Sequence, residues 1–89
     1  SGAKQADPTL TYDATDKEVD IASSGADFLF YTTDGSDPRY SPTAVQVTGG
    51  SVSVPVSAWA GSSVTVKASA FDEALFTSDV ETLTQAIAS

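Results

Sequence analysis

The stretch FLFYTTDGSDPRYSPTA, residues 28–44, decides the fold because it joins a strand pattern to a strong turn signal. Its first residues are apolar and aromatic, which is typical of a strand covered on both faces over part of its length. Asp34-Gly35 favours a tight turn because glycine accepts positive φ, and Asp37-Pro38 fixes a second bend. We therefore predict a central strand at Asp27–Thr33, followed by a structural turn formed by Asp34, Gly35, Asp37 and Pro38.

Other strand patterns lie on both sides of this stretch. SVTVKASAF, residues 63–71, has a clear period of two that places its valines and alanines on one face. Lys17–Ala22 alternates in the same way, and Pro55 assigns Ser51–Val56 to a sheet edge or a bulge. Weaker strands are predicted at Thr9–Tyr12, Ala44–Val47 and Ser78–Leu83.

Seven short strands separated by turn signals predict an all-β fold, an Ig/fibronectin-III-like antiparallel β-sandwich of about seven strands. Two segments lack alternation, Val56–Gly61 and Phe71–Phe76, and are predicted to be connections, the second with room for one helical turn. Trp59 and Phe76 are expected to fold back over the ends of the core.

The chain of 89 residues is long enough for one domain and not for two. We predict a single sandwich domain over residues 8–86, with a flexible N-terminal segment at 1–7 and a loose C-terminus at 87–89. Ser1-Gly2 resembles the remnant of a cleaved tag, and the lack of methionine suggests a fragment or a processed product of a longer protein.

The charge and composition exclude several functional classes. A net charge of −8, with only four Lys and Arg residues, would repel nucleic-acid phosphates and anionic membranes. Without histidine or cysteine, the chain cannot assemble the usual nucleophilic triads or a zinc site. We therefore expect no cofactor, no nucleic acid and no membrane as partners.

FYTTDGSDPRYSPTA, residues 30–44, resembles the YYTTDGSDP signature of the small C-terminal domain of chitobiases and hexosaminidases. The matching run is Tyr31–Pro38, followed by Ser41, and VTVKASAF at 64–71 is similar to a strand that follows in that family. The resemblance spans roughly residues 27–80. It implies a fibronectin-III/Ig-like sandwich, of the kind also appended to bacterial surface proteins and to phage capsid or tail proteins.

The resemblance implies an accessory module and not an enzyme, because the catalytic carboxylates of those glycosidases lie in a separate barrel. It also implies an extracellular, cell-surface or virion location. Expected partners are the rest of a longer parent chain or neighbouring subunits, and the isolated domain is expected to be a monomer.

Asp34 and Asp37 admit three interpretations. Hydrolysis of a glycoside would need two carboxyl groups facing each other across a cleft, one with a raised pKa, and no cleft is indicated. Calcium binding is a weak candidate for these two aspartates, but DGSDP lacks the spacing of an EF-hand loop. The solvated structural turn is preferred, so no catalytic or metal residue is assigned.

Sugar rings stack on exposed aromatic side chains, which makes Trp59, Tyr40 and Phe30 the candidates for a carbohydrate platform. The strand pattern turns Phe28, Phe30 and Phe71 away from the core, where we expect loops to bury them. The preferred function is thus a non-catalytic structural or display module of a surface-exposed, secreted or virion protein. The alternative is a polysaccharide-binding accessory module of a glycoside hydrolase.

Overall fold

A computed structural model describes residues 5–73 and 77–88 and shows a seven-stranded, all-β antiparallel sandwich of Ig-like architecture. The first three strands along the chain precede the turn region at residues 33–44, and the last four follow it. Their bounds are β1 (Thr9–Asp13), β2 (Glu18–Ala22), β3 (Phe28–Thr32), β4 (Val45–Thr48), β5 (Ser51–Pro55), β6 (Ser63–Phe71) and β7 (Glu81–Ala86).

The strands form two sheets, in the orders β1-β2-β5 and β4-β3-β6-β7. The prediction of a central strand at Asp27–Thr33 is confirmed to within one residue at each end, because β3 lies between β4 and β6. The prediction for Pro55 is confirmed as well. It ends β5 at the edge of the three-stranded sheet, where a residue without an N–H group removes no ladder bond.

The core lies between the two sheets and is built from short aliphatic side chains. The alternation predicted for β6 is confirmed, since its inward side chains are buried while Thr65 and Lys67 face outward and are half-buried. The buried apolar residues are Val19, Ile21, Leu29, Val54, Val56, Val64, Val66, Ala68, Ala70 and Ile87.

The last strand begins three residues later than the sequence predicts, at Glu81 instead of Ser78. Ser78 uses its backbone N–H to donate to the Ala70 carbonyl, and its Oγ accepts from the Ala70 N–H at 2.7 Å. The N–H of Asp79 donates to the Asp7 carboxylate at 3.0 Å. These bonds replace regular ladder pairing, which β7 therefore takes up only from Glu81.

The packed part of the chain extends beyond the predicted range 8–86 at both ends. Gln5 is buried and its Nε2 donates to Ser23 Oγ at 3.0 Å and to the Ser24 carbonyl at 2.6 Å. At the other end, Ile87 belongs to the core, and its N–H donates to the Ser62 carbonyl at 2.8 Å. Residues 1–4 and 89, which the sequence assigns to the loose ends, lie outside the described residues.

Of the two predicted connections, the first is fully described and the second only in part. Val56–Gly61 contains a single 3-10 turn at Ser57–Trp59, and Trp59 packs against the core as predicted. Phe76 and half of the segment expected to hold a helical turn fall on residues 74–76, which lie outside the described part of the chain. Within residues 5–73 and 77–88, no helix reaches the length and hydropathy that a membrane crossing requires.

Candidate functional site

The segment between β3 and β4, residues 33–44, folds over the outer face of the four-stranded sheet. Thr32 Oγ1 donates to the Ser36 carbonyl at 2.7 Å, and Thr32 and the loop residue Pro38 are both buried. Gly35 adopts a φ of +81°, as its place in the predicted turn requires. We call this segment the covering loop.

Asp34 holds the two ends of the covering loop together. Its carboxylate accepts from the N–H of Ser36 at 3.1 Å, from Ser36 Oγ, and from Thr43 Oγ1 at 2.7 Å. These donors favour the ionised form, and the Ser36 hydroxyl followed by that of Thr43 lowers the pKa of Asp34 from 3.8 to about 2.

The carboxylate of Asp37 also accepts hydrogen bonds from within the covering loop, all of them from Arg39. Arg39 donates to both carboxylate oxygens, from Nε at 3.1 Å and from Nη2 at 2.8 Å, and its N–H donates at 2.9 Å. These hydrogen bonds lower the pKa of Asp37 from 3.8 to about 2, and Asp37 raises the pKa of Arg39. The guanidinium also lies over the ring of Tyr40, 5.3 Å from its centroid.

The chemistry open to Asp34 and Asp37 follows from these contacts. A general acid of a glycosidase needs a raised pKa, whereas both of these carboxyl groups have a lowered one. In the described part of the chain, no three His, Cys, Asp or Glu side chains lie close enough to hold one metal ion. Both carboxylates accept hydrogen bonds from side chains of the covering loop, and the structural role of the turn stays a prediction.

A cleft of about 440 Å³ opens between the covering loop and the outer face of the sheet. Three residues that lie opposite one another on neighbouring strands form its floor: Gln46 on β4, Phe30 on β3 and Ser69 on β6. Phe71 adds a second ring two residues along β6, with its centroid 6.0 Å from that of Phe28. The other described lining residues are Pro38, Arg39, Tyr40, Ser41, Ala44 and Thr77.

Ser69 is the unusual residue of this cleft. Its side chain is fully buried, and among the described residues its Oγ is the buried polar side-chain atom without a hydrogen-bond partner. A buried hydroxyl without a partner costs free energy of roughly 1–3 kcal/mol. The floor of the cleft thus contains a hydroxyl that internal packing leaves unused.

No family model matches this chain. Comparison with curated proteins and with solved structures also found no match.

The structure brings together two of the three predicted platform residues. Tyr40 is 79% exposed at the rim of the cleft, and Phe30 is half-buried in its floor. Trp59 lies elsewhere, half-buried against the core in the connection that follows β5. Phe28 and Phe71, which we expected loops to bury, are also half-buried.

Sequence reasoning missed Ser69, Gln46 and Arg39 as members of one site. The period of two does turn Ser69 and Phe30 to the same outer face, so that part of the signal is present in the sequence. The covering loop is what converts this face into a cleft. Its position depends on contacts such as Thr32–Ser36 and Asp34–Thr43, which the residue pattern alone does not specify.

Proposed function

We propose that this chain is a non-catalytic structural module that spaces or displays other parts of a longer surface-exposed, secreted or virion protein. The observation that carries the proposal is the path of the chain through the sandwich. The first and last described segments lie at opposite ends of the fold, an arrangement that suits a domain placed in line between neighbouring segments.

The register of the strands defines these two ends. Gln5 contacts Ser23 and Ser24, which come shortly before β3. Asp27, directly before β3, donates its N–H to the carbonyl of Phe71, the last residue of β6. Gln5 therefore lies at the end of the fold where β6 stops. Ile87 pairs with Ser62 at the end where β6 starts. The nine residues of β6 separate the ends by about 26 Å at a rise of ~3.3 Å per residue.

The surface of the domain also suits a spacer. The chain extends over 45 × 23 × 20 Å and carries a net charge of −8, which disfavours close association with other acidic surfaces. Asp34 and Asp37 remain ionised to low pH because their pKa values are lowered. The resemblance of the TTDGSDP turn to the chitobiase C-terminal domain supports the same accessory role and an extracellular or virion location.

Small-angle scattering on tandem copies joined by short linkers tests the spacer proposal. Each added copy is expected to lengthen the particle by an amount comparable with the 45 Å long axis of the domain. The same number of unlinked domains in solution should show the dimensions of a monomer. Tandem copies that pack side by side, with little gain in length, would contradict the proposal.

A second candidate function is binding to polysaccharide, as an accessory module of a glycoside hydrolase. The exposed ring of Tyr40 beside the half-buried ring of Phe30 favours it, because a cleft with aromatic walls suits a sugar ring. Retention on insoluble chitin, cellulose or peptidoglycan would support this function. Absence of retention on all three would leave the spacer role as the only candidate.

A further inference from the structure

We propose that the cleft under the covering loop binds one uncharged sugar ring of a neutral polysaccharide, with the ring stacked on Tyr40. This inference rests on the second candidate function and specifies the class of ligand. Three properties of the cleft support it: its walls, its charge and the unused hydroxyl in its floor.

A pyranose has apolar C–H faces and an edge of hydroxyl groups, and the cleft has apolar and polar side chains to meet each of them. A volume of about 440 Å³ falls within the range of roughly 300–1,000 Å³ that is usual for small-molecule sites. Phe30, Phe71 and Tyr40 offer apolar faces to the C–H groups of a sugar ring. Gln46 offers an amide to the hydroxyl groups at its edge, whereas the Ser41 hydroxyl already bonds Thr43 within the covering loop.

The charge of the cleft favours a neutral sugar. Arg39 carries the only ionic group among the described lining residues, and both oxygens of Asp37 already bind its guanidinium. An anionic sugar would have to compete with Asp37 for that cation, on a chain whose net charge is −8. A sugar without carboxylate or sulfate groups meets neither obstacle.

Ser69 gives an independent reason to expect a ligand. Alanine would fill this position without leaving a buried hydroxyl unpaired, and Ala68 and Ala70 stand on either side of it in the same strand. Ser69 lines the cleft, but its Oγ has almost no accessible surface, so a sugar hydroxyl would supply the missing partner only by moving the rings of Phe30 and Phe71 apart.

Binding isotherms with chitin and cellulose as neutral polymers, and with alginate as a polymer of carboxylated sugars, test the proposal. The wild-type chain should bind at least one neutral polymer and bind alginate more weakly. Tyr40→Ala should weaken neutral binding about tenfold, equivalent to about 1.4 kcal/mol. Val45→Ala is the matched control, because it removes an exposed apolar side chain that does not line the cleft.

Ser69→Ala supplies a second variant that does not depend on an exposed ring. It should stay folded, with a melting temperature at or above that of the wild type, and yet bind the neutral polymer more weakly. If Ser69 had only a structural role, Ser69→Ala would not weaken binding of the polymer while leaving the melting temperature unchanged or higher.

Each contrary outcome identifies which idea fails. If Tyr40→Ala and Ser69→Ala bind a neutral polymer as tightly as the wild type, polysaccharide binding stands but the cleft is not its site. Equal or tighter binding to alginate would overturn the preference for uncharged sugars. If the wild type binds neither chitin nor cellulose, the inference fails, and retention on peptidoglycan then decides whether the second candidate function stands.

Discussion

Thr43 Oγ1 donates to the carboxylate of Asp34 at 2.7 Å, across nine residues of chain, and this bond closes the covering loop over the sheet. Ser36 donates to the other oxygen of the same carboxylate. Asp34 thus links two parts of the covering loop, which forms one wall of the cleft.

This arrangement predicts a loss of stability in acid. Because folding lowers the pKa of Asp34 from 3.8 to about 2, the unfolded state takes up a proton first as the pH falls. The contribution is fully present above about pH 4 and disappears as the pH falls towards about 2. Asp37 acts in the same direction, since its pKa is lowered over the same interval.

Urea unfolding at several pH values between about 2 and 6 measures this effect. Asp34→Asn should flatten the decrease in unfolding free energy below about pH 4, because one of the coupled titrations is removed. Asp16→Asn, which removes an exposed carboxylate outside the covering loop, controls for the change in net charge. An identical pH dependence for Asp34→Asn and the wild type would show that these hydrogen bonds do not stabilise the fold.

Gly35 provides a test of the turn through its backbone. A Cβ at this position would meet only Thr65 Cγ2, at 4.0 Å, so the cost of substitution comes from the φ of +81° and not from a clash. Gly35→Ala should therefore lower the unfolding free energy by about 1 kcal/mol. Gly35→Asn should cost less, since asparagine tolerates the left-handed region better than alanine does. Equal losses in chemical denaturation would contradict this explanation.

Two buried serines, one within β6 and one in the β6–β7 connection, should respond in opposite ways to alanine. Ser78 Oγ accepts from the Ala70 N–H and donates to the Asp79 carbonyl, so Ser78→Ala should cost about 1–3 kcal/mol. Ser69 Oγ has no partner among the described residues, so Ser69→Ala should be neutral or stabilise by about 1 kcal/mol. Thermal unfolding of both variants checks the contrast. A marked destabilisation by Ser69→Ala would mean that its hydroxyl is already satisfied.

Gln5 tests whether the domain includes its first described residues. Gln5→Ala removes two hydrogen bonds, to Ser23 Oγ and to the Ser24 carbonyl, and should lower the unfolding free energy by about 1–2 kcal/mol. Ser24→Ala is a suitable control, because Gln5 contacts its carbonyl and not its hydroxyl. Equal stability of Gln5→Ala and the wild type would mean that the domain starts later.

The sequence predicted most of the sandwich because strand formation depends on local alternation. β6 was predicted with its observed bounds, and Pro55 limited β5 to a sheet edge or a bulge, of which the structure shows the edge. The start of β7 was misplaced because Ser78 pairs with Ala70 partly through its side chain, which a pattern of alternating residues does not encode.

The candidate site was much less predictable than the fold. Tyr40 and Phe30 were predicted as separate aromatic candidates, but their meeting in one cleft depends on how the covering loop packs on the sheet. The burial of Gln5 has the same kind of origin, since the side chain that satisfies it is eighteen residues away. Long-range hydrogen bonds of polar side chains thus account for most of what the sequence left open.

The spacer role depends on the separation of the two ends of the chain, and spin labels can measure it directly. The protein has no cysteine, so Ala6→Cys with Ala88→Cys places one label at each end, at exposed positions. Pulsed electron paramagnetic resonance should give a distance distribution centred beyond about 25 Å, whereas Ala6→Cys with Ser24→Cys, both at one end, should give a much shorter one. A distribution centred below about 15 Å for the first pair would place both ends together and contradict the proposed function.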